Sequence, residues 1–261
     1  MVDYRHPEAL ASTAWLADHL DDPSVRVVDA RFDLRVTSAG TVAAVPGRDA
    51  HGEGHIPGAV FVDVMSDLAD PEDPLVILSP PRFEALMGRL GISEATTVVV
   101  YDDRGGTWAA RLWWALRYYG HDAVKLLDGG LTRWEAEDRS IERQAPEVLP
   151  ATFRARVRPE LSVGADEVMQ AIGRADDCIV DALPEAFFTG EACLYPTHRA
   201  GHIPTARNGL VKDHFEKLGF ARICAEPNGE TVWRLDVHQY SDKELPMKIE
   251  ASASTGSASA A

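Results

Sequence analysis

The stretch from Val98 to Trp134, VVVYDDRGGTWAARLWWALRYYGHDAVKLLDGGLTRW, constrains the fold more than any other part of the chain. Val98, Val99, Val100 and Tyr101 make a run of β-branched and aromatic residues that predicts a fully buried strand. A short polar loop follows, Asp102, Asp103, Arg104, Gly105, Gly106 and Thr107. Apolar residues at Ala109, Leu112, Trp113 and Leu116 then mark a helix, which Gly120 and His121 end, and Ala123 to Leu127 predict a second strand. A strand that passes through a tight, glycine-bearing loop into a helix surrounds one point with free backbone N–H groups and the positive end of the helix dipole. Such a loop cradles an anion, so the residue inside it decides the chemistry.

The upstream chain repeats the alternation. Ser12 to Leu20 predicts a short helix capped by Ser12 or Thr13, and Val25 to Ala30 a buried strand between Pro23 and Arg31. Phe32 to Gly54 is polar, carries Gly and Pro, and reads as an excursion loop. Gly54 to Ala59, GHIPGA, is turn chemistry, with Val60 to Val62 as a short strand after it. Ser79 to Gly91 predicts a helix with Pro at its start and Gly past its end. Strands alternating with helices imply an α/β fold with a parallel sheet covered on both faces. Trp108, Trp113, Trp114, Tyr118 and Tyr119 fall at helical spacing among apolar neighbours and read as packing residues. His51, Glu53 and His55 in HGEGH invite a metal reading, but no further cluster supplies the other ligands and the GHIPG turn accounts for His55. No metal and no cofactor are expected.

Residues 8–140 form the expected first domain, and the charged, proline-bearing 141–160 a linker in which Phe153 to Val157 adds an edge strand. The pattern then restarts over 161–208. SVGADEVMQAI (Ser162 to Ile172) mirrors the helix near Ser12, CIVDA (Cys178 to Ala182) mirrors VRVVDA, and GHIP recurs at Gly201 to Pro204. The shared order implies an internal duplication. The copy stops early. His55 precedes Asp102 by 47 positions, and the same offset from His202 falls near position 249, in MKIEASAS, with no apolar strand, cysteine or glycine-rich loop. Residues 209–250 read instead as a helix and a hairpin, ARICAE and ETVWRLDV flanking Pro227 and Asn228–Gly229, and 251–261 as a disordered tail.

YDDRGGTWAARLWWALRYYGH followed by LDGGLTRW, with VVDARFDL (Val27 to Leu34) and GHIPGAVFVD (Gly54 to Asp63) upstream in the right order, resembles the non-catalytic first domain of two-domain rhodanese and 3-mercaptopyruvate sulfurtransferases, across about residues 10–208. The resemblance implies a rhodanese-like α/β domain followed by an incomplete second copy. It also implies transfer of sulfane sulfur from thiosulfate or 3-mercaptopyruvate, a small anionic donor, to cyanide or a thiol. The carrier in that family is a persulfide on a cysteine in the second domain's loop, where N–H groups and the helix dipole favour the thiolate. Here the corresponding first-domain position is Asp102, and a carboxylate cannot carry sulfane sulfur, so Asp102, Asp103, Gly105 and Gly106 are expected to be structural. Cys224 is the one cysteine beyond the second GHIP, but a hairpin strand offers it no helix dipole. Cys178 reads as a packed core thiol and Cys193 as a loop thiol. Arg31, Arg104, His198, Arg199 and Arg207 are candidate partners for an anionic substrate, while Leu183 stands where many members have an arginine. Asp29 and His55, with Asp181 and His202 in the copy, repeat in both halves and are expected to be scaffold. The reading that follows is a sulfurtransferase-family chain of weak or no activity; a non-catalytic anion- or protein-binding module is the alternative. Residues 203–240 also resemble the end of FkbH-type acyltransferase-like domains, without the rest of such a domain.

Lys and Arg total 26 against 41 Asp and Glu, a net charge of -15, which disfavours nucleic acid and anionic membranes as partners. The N-terminal stretch has no signal-peptide core, no run is long enough to span a membrane, and three cysteines without CxxC spacing suit a reducing, cytoplasmic setting. Donor, acceptor and oligomeric state leave no signature in the sequence.

Overall fold

The computed structural model describes residues 6–36, 42–73, 76–182, 188–189, 220–225 and 231–235, in two compact units, Met1–Ser162 and Val163–Ala261. The first unit runs β1 (Leu10–Ala11), α1 (Thr13–Asp18), β2 (Val25–Asp29), β3 (Phe32–Val36), β4 (Val42–Pro46), α2 (Arg48–Glu53), β5 (Val60–Phe61), α3 (Pro80–Arg89), β6 (Thr97–Tyr101), α4 (Ala109–Tyr118), β7 (Val124–Leu127) and α5 (Gly130–Ala136). Five of these strands form one parallel sheet in the order β1-β7-β6-β2-β5. Ser12 caps α1 by accepting from the Trp15 N–H at 3.1 Å.

Alternation along the central strands builds both faces. Val98 and Val100 pack with Phe83, Leu86 and Met87 of α3 and Leu112 and Leu116 of α4. Val99 and Tyr101 point the other way, to Leu16 of α1 and Leu131 and Trp134 of α5. β6 is buried on both sides, as its unbroken apolar run requires. Trp108, Trp113, Trp114 and Tyr118 are partly buried against the first of these clusters, and Tyr119 lies within it.

Three expectations need correction. The excursion loop expected over residues 32–54 holds an antiparallel hairpin, β3 with β4, and the short helix α2. The ladder pairs FDLRV with VAAVP and leaves Leu34 exposed; the Gly, Pro and polar residues around the two strands made the whole stretch read as a loop. The stretch Phe153 to Val157 is not a strand. The Arg156 and Arg158 N–H groups donate to the Tyr119 and Tyr118 carbonyls at 2.9 and 2.8 Å. Those acceptors are carbonyls at the C-terminal end of α4, which lack intrahelical donors, so the segment straps a helix end instead of extending a sheet. Phe153 is buried beside Phe83 and His121. Phe153→Ala should therefore cost about 3 kcal/mol in urea unfolding, the usual loss for a buried Phe; a loss under about 1 kcal/mol would show that the strap does not hold.

In the second unit, α6 (Ala165–Ala171) forms where the second capped helix is expected. Cys178 is exposed, not a core thiol, and Val180 beside it is exposed as well. The physical reason is local: none of residues 163–182 is buried, so nothing among them covers that run. The expected hairpin is present as β8 (Phe220–Ala225) and β9 (Thr231–Leu235), antiparallel, with Cys224 opposite Val232. Cys193, His198, Arg199, His202, Arg207, the expected helix near Leu210 and the tail lie outside the described residues.

Candidate functional site

At the C-terminal end of β6 the loop turns through Gly105 and Gly106, both at positive φ (67° and 90°), before α4 begins. The Asp102 carboxylate lies inside that turn, almost wholly buried. Its Oδ1 accepts the N–H groups of Arg104 and Gly106 at 2.9 and 2.8 Å. Its Oδ2 accepts those of Trp108 and Ala109 at 2.8 and 2.9 Å. Four amides and the N-terminus of α4 thus converge on one carboxylate, which satisfies donors that a helix start leaves unpaired. The cradle is occupied by its own side chain.

The same residue is fixed from behind. The Asp102 carbonyl accepts from the Leu131 N–H at 2.9 Å. A Cβ at Gly130, whose φ is 56°, would stand 2.3 Å from that carbonyl oxygen. The second glycine of LDGG is therefore required by close approach as well as by backbone conformation. Arg104 reaches back to Asp33 on β3 at 3.3 Å and ties the cradle loop to the hairpin, while Asp103 is exposed.

One strand over, Asp29 ends β2 directly opposite Tyr101 in the parallel register. Its carboxylate is fully buried and accepts from five donors. Arg31 gives its backbone N–H and Nε at 3.0 Å and its second guanidinium nitrogen at 2.6 Å. The Tyr101 hydroxyl and the His51 Nδ1–H donate to Oδ2, each at 3.0 Å. Burial pushes the Asp29 carboxyl up, yet the bonds from His51 and Arg31 outweigh it and hold it below its ordinary value. Burial and the Asp29 charge together push the Tyr101 phenol well up. His55 is fully buried, stacks on His51 with ring centroids 3.9 Å apart, and pairs by backbone with Glu142.

The structure brings Asp29, Arg31 and His55 into this one network and sets Asp102, Asp103, Arg104, Gly105 and Gly106 at the neighbouring strand end. Arg31, a candidate for substrate, already forks onto Asp29 and donates to the Gly54 carbonyl at 2.7 Å. Asp181 is half-buried, in the second unit. His51 and Tyr101 belong to the site although the sequence assigned the first no role once a metal reading was set aside, and placed the second in the core. The available signal was the hydroxyl at the end of an otherwise apolar strand.

Comparison with known proteins follows the same outline. The family model described as Rhodanese-like domain matches residues 12–137. The chain is 35% identical over 219 residues to the sulfur carrier protein TtuD of Thermus thermophilus, covering 79% of this chain and 71% of that protein. It is 36% identical over 203 residues to the 3-mercaptopyruvate sulfurtransferase of Escherichia coli K12, covering 74% and 68%. The crystal structure of SseA from Escherichia coli, a 3-mercaptopyruvate sulfurtransferase, superposes with a TM-score of 0.67 at 34% identity, covering 76% of this chain and 73% of that one.

Proposed function

Because this chain belongs to the rhodanese-like sulfurtransferase family, we propose that it is a member whose own sulfane-sulfur transfer, from thiosulfate or 3-mercaptopyruvate to a thiol or cyanide, is weak or absent. The observation that carries this is in the second copy, where the offset that places Asp102 in the first copy falls in MKIEASAS, without an apolar strand, a cysteine or a glycine-rich loop; the one strand-loop-helix cradle among the described residues is filled by the Asp102 carboxylate. Ping-pong transfer needs a nucleophile that accepts sulfur and gives it up. A carboxylate does neither. The repeated helix, VDA and GHIP motifs support a tandem origin, and the second copy of the sequence carries no cysteine at the corresponding offset.

If a donor binds, it is a small anion, and Arg104 with Arg199 and Arg207 are the cations proposed for it. Arg31 would first have to leave Asp29. Among the described residues no helix is long and apolar enough to cross a membrane. Three cysteines without CxxC spacing support a reducing, cytoplasmic setting. A non-catalytic binding role is the second reading, and the occupied cradle favours a protein partner over an anion held in that loop.

Two assays test the proposal, thiosulfate with cyanide and 3-mercaptopyruvate with a thiol. We expect no turnover above the uncatalysed rate, and no difference between the chain and its Cys224→Ala variant. Turnover that Cys224→Ala abolishes would overturn the proposal.

A further inference from the structure

Residues 151–158, within the first unit, pack over α3 and the C-terminal end of α4, at the end of the sheet opposite the cradle. The Ala151 N–H donates to the Gly88 carbonyl at 2.9 Å, and the Ala155 N–H to the Glu84 side chain at 2.9 Å. Arg156 and Arg158 close onto the end of α4, as described, and the Arg158 guanidinium forks onto Asp122 at 2.7 and 2.5 Å. Beneath this strap sits His121. It is 5% exposed, its ring centroid is 5.7 Å from that of Phe153, and its Nε2 is buried without a hydrogen-bond partner. A cavity of about 270 Å³ lies alongside, lined by Glu94, Gly120, His121, Asp122, Ala123, Phe153, Arg154 and Arg156.

We propose that residues 151–158 are an acid-released strap, opened by protonation of His121.

A neutral imidazole donates at one nitrogen only and tolerates a sealed, unpartnered Nε2. An imidazolium donates at both, and a buried charged N–H without an acceptor is far more costly than a neutral lone pair. With the strap closed, nothing among the described residues takes that proton. With the strap open, water does. The charged form is therefore compatible with the open strap and not with the closed one. The charges that act on the ring are those of Asp122 on its own turn and Glu94 on the turn before β6, while Arg154 and Arg156 of the strap line the cavity beside it; Arg117 and Arg158 pair with Asp122, and Glu84 of α3 accepts from the strap. Burial lowers the His121 value, and the backbone of Thr96 and Ala123, followed by the charges of Asp122 and Glu94, only partly offsets it; Nε2 remains the nitrogen without a partner. Asp122 is itself held below its ordinary value, chiefly by Arg158, so that ion pair stays intact where histidines titrate.

The sign follows from linkage. A histidine whose value is lowered in the closed state binds its proton more readily once the strap is open. Closure is therefore fully favoured above the ordinary value of 6.5 and weakens as pH falls below it. One proton taken up on opening raises the opening constant by at most about tenfold per pH unit across that window.

Amide hydrogen exchange on the full chain tests this. After correction for intrinsic rates, protection of the Ala151, Ala155, Arg156 and Arg158 amides should fall as pH drops below about 6.5, by at most about tenfold per pH unit, while Val98 to Val100 hold theirs. In His121→Gln the strap amides should show no such pH dependence. Constant protection in the unsubstituted chain, or the same fall in His121→Gln, overturns the proposal. If His121→Gln does not fold, NMR on the unsubstituted chain decides: strap amides whose exchange changes with the same midpoint as the His121 ring support the proposal, and a ring that titrates while those amides stay unchanged rejects it.

Discussion

Asp102→Cys should turn the first unit into a carrier of sulfane sulfur. The thiolate would attack the outer sulfur of thiosulfate, form a Cys–S–S⁻ persulfide and release sulfite. The sulfur bonded to Cβ would take the place of the carboxylate carbon. The outer, anionic sulfur would then take the place of a carboxylate oxygen, within reach of the amides of Arg104, Gly106, Trp108 and Ala109. Those amides and the N-terminus of α4 stabilise negative charge whichever atom bears it, so the thiol should ionise below its ordinary range. A drop of one pKa unit from the free-cysteine value gives about tenfold more thiolate at pH 6.5. We expect alkylation of the new thiol to be faster by about that factor than that of an unstructured cysteine, and cyanide to release about one sulfur per chain after thiosulfate treatment. A thiol that alkylates at the ordinary rate and takes up no sulfur would show that the cradle is not competent and that Asp102 is not the whole of the difference.

The largest loss of stability is expected at Asp29. Asp29→Ala removes the shared acceptor of Arg31, His51 and Tyr101 and leaves a guanidinium that is 7% exposed without its counter-charge. Breaking a buried ion pair from one side typically costs about 3–5 kcal/mol, because the remaining charge stays desolvated. Chemical denaturation should show a loss of this size. Asp29→Asn keeps an acceptor and should lose less. A loss for Asp29→Ala below about 1 kcal/mol would mean that the network is not a structural anchor. The network also carries a pH dependence. The Asp29 carboxyl is held below its ordinary value of 3.8, so its contribution is complete at neutral pH and is lost as pH falls through the folded-state value.

Local patterns carried the central sheet into view. The Val98 to Tyr101 run and the polar loop after it are decided within a dozen residues, and the strand, cradle and helix stand there. Features that depend on distant partners were less legible. β3 reads FDLRV, which alternates, and β4 reads VAAVP, which does not; the Thr, Ser, Gly and Pro residues around them masked a ladder that a two-strand pattern could have announced. The Asp29 network arises only because parallel register sets Asp29 beside Tyr101 and α2 brings His51 back over both. The strap reads as a linker from its prolines and charges. Only Phe153, an isolated aromatic among them, signals that it is anchored. At the cradle the sequence supplied the residue and the reason it cannot carry sulfur. The four converging amides, and the need for glycine at position 130, required coordinates.

The central claim is that no thiol of this chain holds transferable sulfur, because the second copy carries no cysteine loop at the expected offset and the cradle of the first is filled by Asp102. Mass spectrometry of the intact chain after incubation with thiosulfate or 3-mercaptopyruvate tests it most directly. We predict no adduct of one sulfur atom that cyanide removes. A cyanide-labile sulfur on Cys178, Cys193 or Cys224 would contradict the account.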